Sequence, residues 1–300
     1  MVCLITGAAG MMGSHLYETL LKYNYEVVPT YFNPTINSND KILNKISIVL
    51  DVLNKDNIRH VLSKYKPSVI YHLAAQSRPD ISFKNPIHTI NTNVIGTANL
   101  LDCCIELGLN PLFINASSSA VYGDIDWSIP PDEGRNCNPL SPYGTSKLAQ
   151  EHVVKNYYQM HGIEYVNVRI FNCTGPRKIN DFVSDICQRV VKNEFPIKVG
   201  NLNTVRSIVD VRDLTYGLVL CQKIKNETIN LGSEVSLKIF DVFKMIVAKN
   251  DYYIDEQLLR PTDEPIIVGN INKTKNLLDW KPKISLEQTI TDTLNYWKNL

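Results

Sequence analysis

Short apolar runs alternate with longer amphipathic stretches over the first 171 residues. The short runs are rich in β-branched residues and predict strands, whereas apolar positions that recur every three or four residues predict helices. Because the two alternate, we expect parallel βαβ units. Strands are predicted at Val2–Thr6, Glu26–Thr30, Ile46–Leu50, Ser68–His72, Leu112–Ala116 and Tyr165–Ile170, and helices at Met12–Lys22, Lys55–Lys64, Asn93–Leu107 and Lys147–Met160.

The pattern loosens after Phe171, where short strands are predicted near Ile197 and Ser207. Further helices are predicted at Asp181–Lys192, Val211–Cys221, Ile239–Lys249 and Ser285–Asn299. We therefore predict an α/β fold, a Rossmann-type doubly wound parallel sheet with a smaller C-terminal substrate-binding lobe. Residues 1–171 would form the dinucleotide-binding domain, and residues 172–300 would form mainly the lobe, with some segments returning to the sheet.

Charge and composition narrow the classes of partner. The chain has 31 basic and 30 acidic residues, so no global field favours nucleic acid or a membrane surface. No apolar run approaches the ~20 residues that span a bilayer, and no signal segment opens the chain. The seven cysteines show neither a CxxC pair nor a metal-ligand spacing. We expect a cytoplasmic protein with reduced thiols and no metal site.

The segment GAAGMMG, residues 7–13, follows the first strand and opens the first helix. This is the context in which Gly7, Gly10 and Gly13 indicate a dinucleotide site. One glycine permits a positive φ, and another lets a pyrophosphate approach the backbone, where amides and the helix dipole hold it. Met11 and Met12 would belong to the same cradle. A tight strand–helix turn that binds no nucleotide is the alternative for this loop taken alone.

The acidic residue that reads the adenosine ribose of NAD is expected at the end of the second strand. Tyr31, Phe32 and Asn33 stand there and provide neither that acid nor an arginine for the 2′-phosphate of NADP. The choice between NADP and NAD therefore stays open at this point. Asp51, which ends the third strand beside Val52, would accept a hydrogen bond from the adenine amino group or else cap the following helix.

The segment SPYGTSK places Tyr143 and Lys147 one helical turn apart on the same face. Tyrosine has a pKa near 10 and is a poor base at neutral pH, but a neighbouring ammonium lowers that pKa. A hydroxyl at Ser118 would bind the oxygen of the alcohol or carbonyl that exchanges the proton. A surface Tyr–Lys pair is the usual explanation of this spacing, but the preceding glycine loop and Ser118 argue against it.

These motifs together resemble the extended short-chain dehydrogenase/reductases that act as nucleotide-sugar epimerases, dehydratases and reductases. The resemblance covers nearly all 300 residues and includes HLAAQS, NTNVIGT, SSSAVYG, SPYGTSK, RIFNCTGPR and VRSIVDVRD. It implies a nicotinamide cofactor, a homodimer, and a Ser118–Tyr143–Lys147 triad in which Tyr143 is the general acid/base. Cofactor contacts would come from Gly7, Gly10, Met11, Met12, Gly13, Asp51, Val52, Leu73, Ala74, Ala75, Asn93, Tyr143 and Lys147. For Asn93 the alternative is helix capping, and His72 is expected to serve strand packing.

The resemblance also implies a substrate site. Asn172 would meet the diphosphate, Arg206 a phosphate, and Arg260 the pyrophosphate or ribose, since guanidinium groups match phosphate oxygens. The segments DFV, IKVGNLNTVR and LRPTDEP resemble GDP-mannose 4,6-dehydratases and GDP-4-keto-6-deoxymannose reductases and favour GDP over UDP. The full predicted set of substrate residues is Gln76, Ser118, Asn172, Val183, Lys198, Arg206, Arg260 and Asp263, with Glu264 as the alternative to Asp263.

The reaction type depends on one position. Dehydratases of this kind carry an acid two residues after the catalytic Ser, and Ala120 stands there, which disfavours dehydration. We predict reduction of the 4-keto group of a GDP-4-keto-6-deoxy sugar with NADP, or alternatively NAD, as cofactor and Tyr143 as proton donor. The alternative is a nucleotide-sugar 4-epimerase with tightly bound NAD. The intact triad argues against a member that binds a nucleotide without turnover.

Overall fold

The computed structural model describes residues 1–247, 251–259 and 264–300. Its strands, numbered in chain order, are β1 (Val2–Thr6), β2 (Glu26–Tyr31), β3 (Ile48–Val49), β4 (Val69–His72), β5 (Leu112–Ser118), β6 (Tyr165–Ile170), β7 (Cys173–Thr174), β8 (Ile197–Val199), β9 (Val205–Arg206), β10 (Val209–Asp210), β11 (Glu227–Leu231), β12 (Leu237–Lys238), β13 (Tyr252–Ile254) and β14 (Ile266–Ile267). The α-helices are α1 (Met11–Lys22), α2 (Lys55–Tyr65), α3 (Pro79–Lys84), α4 (Pro86–Ile90), α5 (Gly96–Glu106), α6 (Pro142–His161), α7 (Phe182–Val191), α8 (Val211–Leu220), α9 (Ile239–Ile246), α10 (Asn272–Leu278) and α11 (Leu286–Lys298).

Seven parallel strands form the central sheet in the order β11-β6-β5-β4-β1-β2-β3. The chain direction across the sheet reverses between β1 and β4, which is the point where open α/β sheets bind ligands at the carboxyl ends of their strands. The predicted Rossmann-type doubly wound sheet is thus confirmed. The six strands predicted for residues 1–171 are all present, although the third shortens to Ile48–Val49.

Successive residues of each strand point to opposite faces of the sheet, and helices cover both faces. Ile5 and Tyr71 pack with α1 and α8 on one face. Leu4, Ile70 and Phe113 pack on the other face with apolar residues of α2 and α5. This two-sided burial explains why the strands appear in the sequence as nearly continuous apolar runs.

Strand β11 is a member of the central sheet that the hydrophobic pattern did not predict. It pairs in parallel with β6 from Glu227 opposite Val166 to Leu231 opposite Ile170. The segment ETINL carries polar side chains at three of its five positions, so it lacks the apolar run that marks the other strands. The chain therefore returns from the C-terminal part to the sheet before it ends.

Four C-terminal elements form most of a second apolar core. Its buried residues come from α7, β8, α9 and α11 and include Ile186, Val199, Phe243 and Trp297. The predicted helix Ile239–Lys249 is observed as Ile239–Ile246, and residues 248–250 lie outside the described part of the chain.

The free side of β11 is occupied by side chains rather than by another strand. Glu133 accepts a hydrogen bond from Asn230 N over 2.6 Å. Lys273 donates to Thr228 O over 2.8 Å, and Thr274 donates to Asn230 O over 2.5 Å. These bonds satisfy backbone groups that an edge strand otherwise leaves unpaired. Across the described residues, no helix has the length and apolarity needed to cross a membrane.

Candidate active site

The glycine loop has the geometry of a pyrophosphate cradle. Gly7 has a φ of 73°, which favours glycine, and Gly10 donates its amide to Gly7 O over 3.1 Å. A Cβ on Gly13 would lie 2.3 Å from Gly7 O, so only glycine lets α1 pack this closely on the loop. Gly10 precedes α1 and carries no capping side chain, and Met11 and Met12 form the first turn. The amides of that turn therefore suit an anion.

The segment between β2 and β3, residues 32–47, packs on this loop. Thr35 donates its amide to Ala9 O over 3.1 Å, and its hydroxyl would lie 3.3 Å from a Cβ on Gly10. Arg177, from the loop after β7, fastens the same segment to α1. Its guanidinium donates to Asp40 over 3.0 Å and to Glu18 over 2.6 and 3.0 Å. Sequence reasoning missed this pair of ion bridges.

Asp51 does not cap helix α2, so that alternative is wrong. The cap is Asn54, whose side chain accepts a hydrogen bond from Asn57 N. Asp51 instead accepts from Leu53 N over 2.9 Å, in an Asx turn. Val52 is buried against Gly96, where a Cβ would lie 2.6 Å from Val52 Cγ2. The adenine contact of Asp51 stays a prediction.

The end of β4 is joined to the glycine loop through Thr6. Leu73 N and Ala74 N donate to Thr6 Oγ1 over 3.2 and 3.1 Å, and Ala74 N would lie 2.9 Å from a Cβ on Gly7. Ala75 follows and is half-buried. The predicted cofactor residues 73–75 thus lie directly beside the cradle.

His72 is more than the packing residue that the sequence predicts. Its Nδ1 lies 2.9 Å from Thr6 Oγ1, and its Nε2 lies 2.9 Å from Thr97 Oγ1. Thr97 donates to Asn93 O over 2.6 Å, so its oxygen must accept from His72 Nε2–H. Burial, assisted by the positive charge of Lys147, lowers the pKa of His72 to about 3. The ring is therefore neutral.

Asn93 lies in a π-helical turn, Asn91–Ile95, between α4 and α5. The interpretation as a helix cap is wrong, because helical backbone continues on both sides. Its Oδ1 accepts from Gln76 N over 2.8 Å, and its Nδ2 donates to Gln76 O over 3.0 Å and Ser146 Oγ over 2.9 Å. Asn93 thus ties the loop after β4 to the helix that carries Lys147. π-Helical turns are frequent at functional sites.

Ser118 and Tyr143 meet where β5 ends and α6 begins. Ser118 is the last residue of β5 and accepts from Ala120 N over 3.2 Å. Ser141 caps α6 by accepting from Gly144 N over 3.0 Å, and Pro142 occupies the first turn. Burial raises the pKa of Tyr143, and a hydrogen bond with Ser118 partly opposes that rise. The phenol and the hydroxyl therefore lie near each other, at the end of β5 and in the first turn of α6.

Lys147 is buried one turn after Tyr143. Its Nζ donates to Ala116 O over 2.8 Å and to Gln150 Oε1 over 3.0 Å. Burial lowers the pKa of Lys147 to about 7, while the negative charge of Glu151 opposes that fall. The three predicted catalytic residues thus lie on β5 and α6, two adjoining elements at the carboxyl edge of the sheet.

Ala120 lies in a short 3₁₀ turn, Ser119–Val121. Its carbonyl oxygen would lie 2.5 Å from a Cβ on Gly144, so the turn packs directly on the start of α6. A methyl group at this position supplies neither an acid nor a base for the elimination of water.

Two of the predicted substrate residues lie in neighbouring segments of the chain. Asn172 donates to Ser207 O over 3.1 Å, which places it beside the strand that ends at Arg206. Arg206 is buried in β9. Gln76 is half-buried and donates to Arg78 O over 3.0 Å in the loop after β4.

The other predicted substrate residues are placed differently. Val183 is 2% exposed and packs in the second apolar core, so its side chain is positioned for packing rather than for contact with the substrate. Lys198 has a side chain that is 43% exposed, with Nζ 3.9 Å from Asp255 Oδ2. Arg260 and Asp263 lie outside the described residues.

Comparison with known proteins tests the resemblance. The model of the family described as GDP-mannose 4,6 dehydratase matches residues 4–293. The chain belongs to this family. The chain is also 31% identical to a putative UDP-glucose 4-epimerase of Methanocaldococcus jannaschii, over 99% of this chain and 98% of that protein. This family member is therefore an enzyme of the extended short-chain dehydrogenase/reductase class, as the motifs predict.

Further relatives of this dehydratase-family enzyme differ in reaction. It is 30% identical to a GDP-6-deoxy-D-talose 4-dehydrogenase of Aggregatibacter actinomycetemcomitans, over 93% of this chain and 91% of that protein. The crystal structure of UDP-glucose 4-epimerase of Thermus thermophilus in complex with NAD is 25% identical, with a TM-score of 0.89 and 99% of both chains covered. Relatives in this class bind a nicotinamide cofactor and act on nucleotide sugars, and the glycine cradle described above suits the pyrophosphate of such a cofactor.

Proposed function

We propose that this protein is a nucleotide-sugar 4-epimerase that retains NAD during turnover. The observation that carries the proposal is the Ser118–Tyr143–Lys147 group at the edge of a sheet whose fold matches UDP-glucose 4-epimerases over nearly the whole chain. The comparisons support this interpretation better than the reductase that the sequence favours. Ala120 in place of an acid argues against dehydration.

The chain's own residues would divide the work as follows. Tyr143 takes the proton from the C4 hydroxyl of the sugar and returns it, because its phenol oxygen is the titratable group beside Ser118. Ser118 donates a hydrogen bond to the same sugar oxygen. The ammonium of Lys147 stabilises the phenolate. When bound, a nicotinamide would accept the hydride from C4 of the sugar and later return it.

Gly7, Gly10 and Gly13 would hold the cofactor's pyrophosphate on the amides of the first turn of α1. Lys147 would reach the nicotinamide ribose. Asn172 and Arg206 would bind the diphosphate of the substrate, since they lie in neighbouring segments and offer an amide and a guanidinium. We propose a UDP-hexose as the first substrate to test, on the strength of the epimerase relatives.

The 4-keto reductase is the second candidate, and two observations favour it. Tyr31 and Phe32 give no acid for the adenosine ribose of NAD. The segments GNL and LRPTDEP are similar to those of GDP-sugar enzymes, and a GDP-6-deoxy-D-talose 4-dehydrogenase is among the relatives.

One experiment separates the two candidates. The purified protein is denatured to measure released NAD and NADP, and intact protein is incubated with UDP-glucose, UDP-galactose or GDP-mannose while NMR follows the C4 epimers. In parallel, absorbance at 340 nm follows NADPH or NADH mixed with GDP-4-keto-6-deoxymannose. Bound NAD with interconversion of C4 epimers supports the epimerase. Stoichiometric loss of absorbance at 340 nm without epimer formation would overturn it in favour of the reductase.

A further inference from the structure

A carboxylate lies buried one turn beyond the catalytic lysine. Glu151 follows Lys147 by four residues on α6. Its carboxylate accepts hydrogen bonds from Arg169 Nε over 3.0 Å and from Arg169 Nη2 over 2.9 Å. The two side chains are 1% and 6% exposed. A buried ion pair contributes little net stability, because desolvation offsets the attraction. The pair lies one helical turn from Lys147, so we expect a role other than stability.

The same carboxylate is bonded to the neighbour of the catalytic serine. Ser117 donates to Glu151 Oε1 over 2.5 Å, and Ser117 directly precedes Ser118 on β5. Arg169, on β6, also donates to Glu133 O over 3.3 Å. Glu151 thus joins α6, β5 and β6 at the level where Ser118 and Lys147 are held.

Glu151 is also a negative charge that acts on Lys147, one turn away on the same helix. Arg169 is paired with Glu151, His72 of β4 is neutral, and Tyr143 precedes Lys147 on the same helix. On α5, Asp102 is bonded to Tyr157 near the far end of α6. The titratable groups of α3 and α4, which are Asp80, Lys84 and His88, are exposed. Among the described residues around Lys147, Glu151 thus supplies the negative charge that opposes the effect of burial on the pKa of Lys147.

We propose that Glu151 is a positioning residue that keeps Lys147 protonated and holds Ser118 in place, so that the Glu151–Arg169 pair sets the upper pH limit of activity. The activity in question is the proposed epimerase reaction, on which this inference rests. Replacement of Glu151 would remove an attraction for the ammonium and leave Arg169 as an uncompensated positive charge nearby. Lys147 would then lose its proton at a lower pH.

Three variants test this role. Glu151→Gln keeps the shape and removes the charge, whereas Glu151→Gln with Arg169→Gln removes both charges and leaves no bare cation in the core. Glu164→Gln is the matched control, because Glu164 forms a surface ion pair with Lys225 over 2.6 Å. The double variant also covers the case in which Glu151→Gln does not fold.

The first readout is the pH profile of kcat. In Glu151→Gln we expect the alkaline limb to move to lower pH by about one unit or more. The limb of the double variant should lie between those of Glu151→Gln and the wild type, and that of Glu164→Gln should not move. A purely structural Glu151 would lower kcat by the same factor at every pH, and that result would overturn the proposal.

The second readout needs no substrate, so it separates this inference from the proposed function. Burial places the pKa of Lys147 in the folded protein below its value in the unfolded chain, so the free energy of unfolding falls as pH falls towards the folded pKa. In Glu151→Gln the free energy of unfolding should keep falling down to a pH about one unit lower than in the wild type. Urea unfolding between pH 5.5 and 9 measures this difference. Parallel curves would overturn the role of Glu151, whatever the substrate is.

Discussion

His72 Nε2 donates its proton to Thr97 Oγ1 over 2.9 Å and so joins the end of β4 to helix α5. On its other side, Thr6 donates to Nδ1 over 2.9 Å, so both ring nitrogens are used by the neutral form. A second proton on the ring would have to displace the bond from Thr6. The packing of β1, β4 and α5 around this ring therefore depends on an uncharged imidazole.

We expect this imidazole to make the protein sensitive to acid. The pKa of His72, about 3, lies below the ~6.5 of an unfolded histidine, so its stabilising contribution is complete above pH ~6.5 and is lost as pH falls towards 3. The loss is about 1.4 kcal/mol per pH unit. His72→Gln lacks this titration, so the difference in unfolding free energy between wild type and His72→Gln should shrink between pH 6.5 and 4.5. Exposed His60→Gln is the control and should follow the wild type.

Tyr143→Phe should abolish turnover while binding persists. Loss of the phenol oxygen removes the group that moves the proton, and general acid/base catalysis contributes about 10²–10⁴-fold in rate. Dissociation constants for NAD and the nucleotide sugar, measured by calorimetry, should change little. Tyr158→Phe, on the exposed side of the same helix, is the control. An unchanged kcat in Tyr143→Phe would contradict the assignment of the general acid/base.

The glycines of the cradle should differ in what their substitution damages. Gly13→Ala places a Cβ 2.3 Å from Gly7 O, and overpacking of this kind costs about 1–3 kcal/mol of stability. Gly10→Ala meets the Thr35 hydroxyl at 3.3 Å, so it should fold nearly as well as the wild type but bind NAD more weakly. Thermal unfolding and NAD titration check both outcomes. Gly134→Ala, in an exposed loop, serves as the control. Equal losses of stability in Gly13→Ala and Gly10→Ala would contradict the different roles of these two glycines.

Arg177→Gln should release the cofactor faster. The guanidinium, whose side chain is 14% exposed, ties the segment 32–47 to α1 through Asp40 and Glu18. Loss of about 1.4 kcal/mol in this contact would correspond to a tenfold change in the equilibrium that keeps the segment closed on the glycine loop. Displacement of bound, labelled NAD by excess unlabelled NAD measures the rate of cofactor release. Arg59→Gln removes a more exposed arginine with two ion pairs and should leave the rate unchanged.

The sequence predicts most of the sheet because strands buried on both faces need apolar side chains at nearly every position. It does not predict β11, because Asn230 is buried there and its amide is satisfied by Pro131 O and Asn270 O, which come from distant parts of the chain. A polar residue in a buried strand is stable only with such partners. Periodicity within a short window contains no information about them.

In the candidate site, too, residues with a local signal are predictable from the sequence, and residues that depend on distant partners are not. Tyr143 and Lys147 are predictable because their spacing is local to one helix. Glu151 continues the same four-residue spacing, but its burial depends on Arg169, which follows it by 18 residues on another element. The role of His72 likewise depends on Thr6 and Thr97, and only the folded chain brings their hydroxyls to the ring.

The two margins of the central sheet are poor starting points for aggregation. A long edge strand with open amides is a template onto which strands of other molecules can add. On one margin β3 has only two residues, too few to hold an incoming strand in register. On the other margin, Glu133, Lys273 and Thr274 already occupy the backbone groups of β11. A recruited strand would have to displace all three, so this sheet ends with its seventh strand.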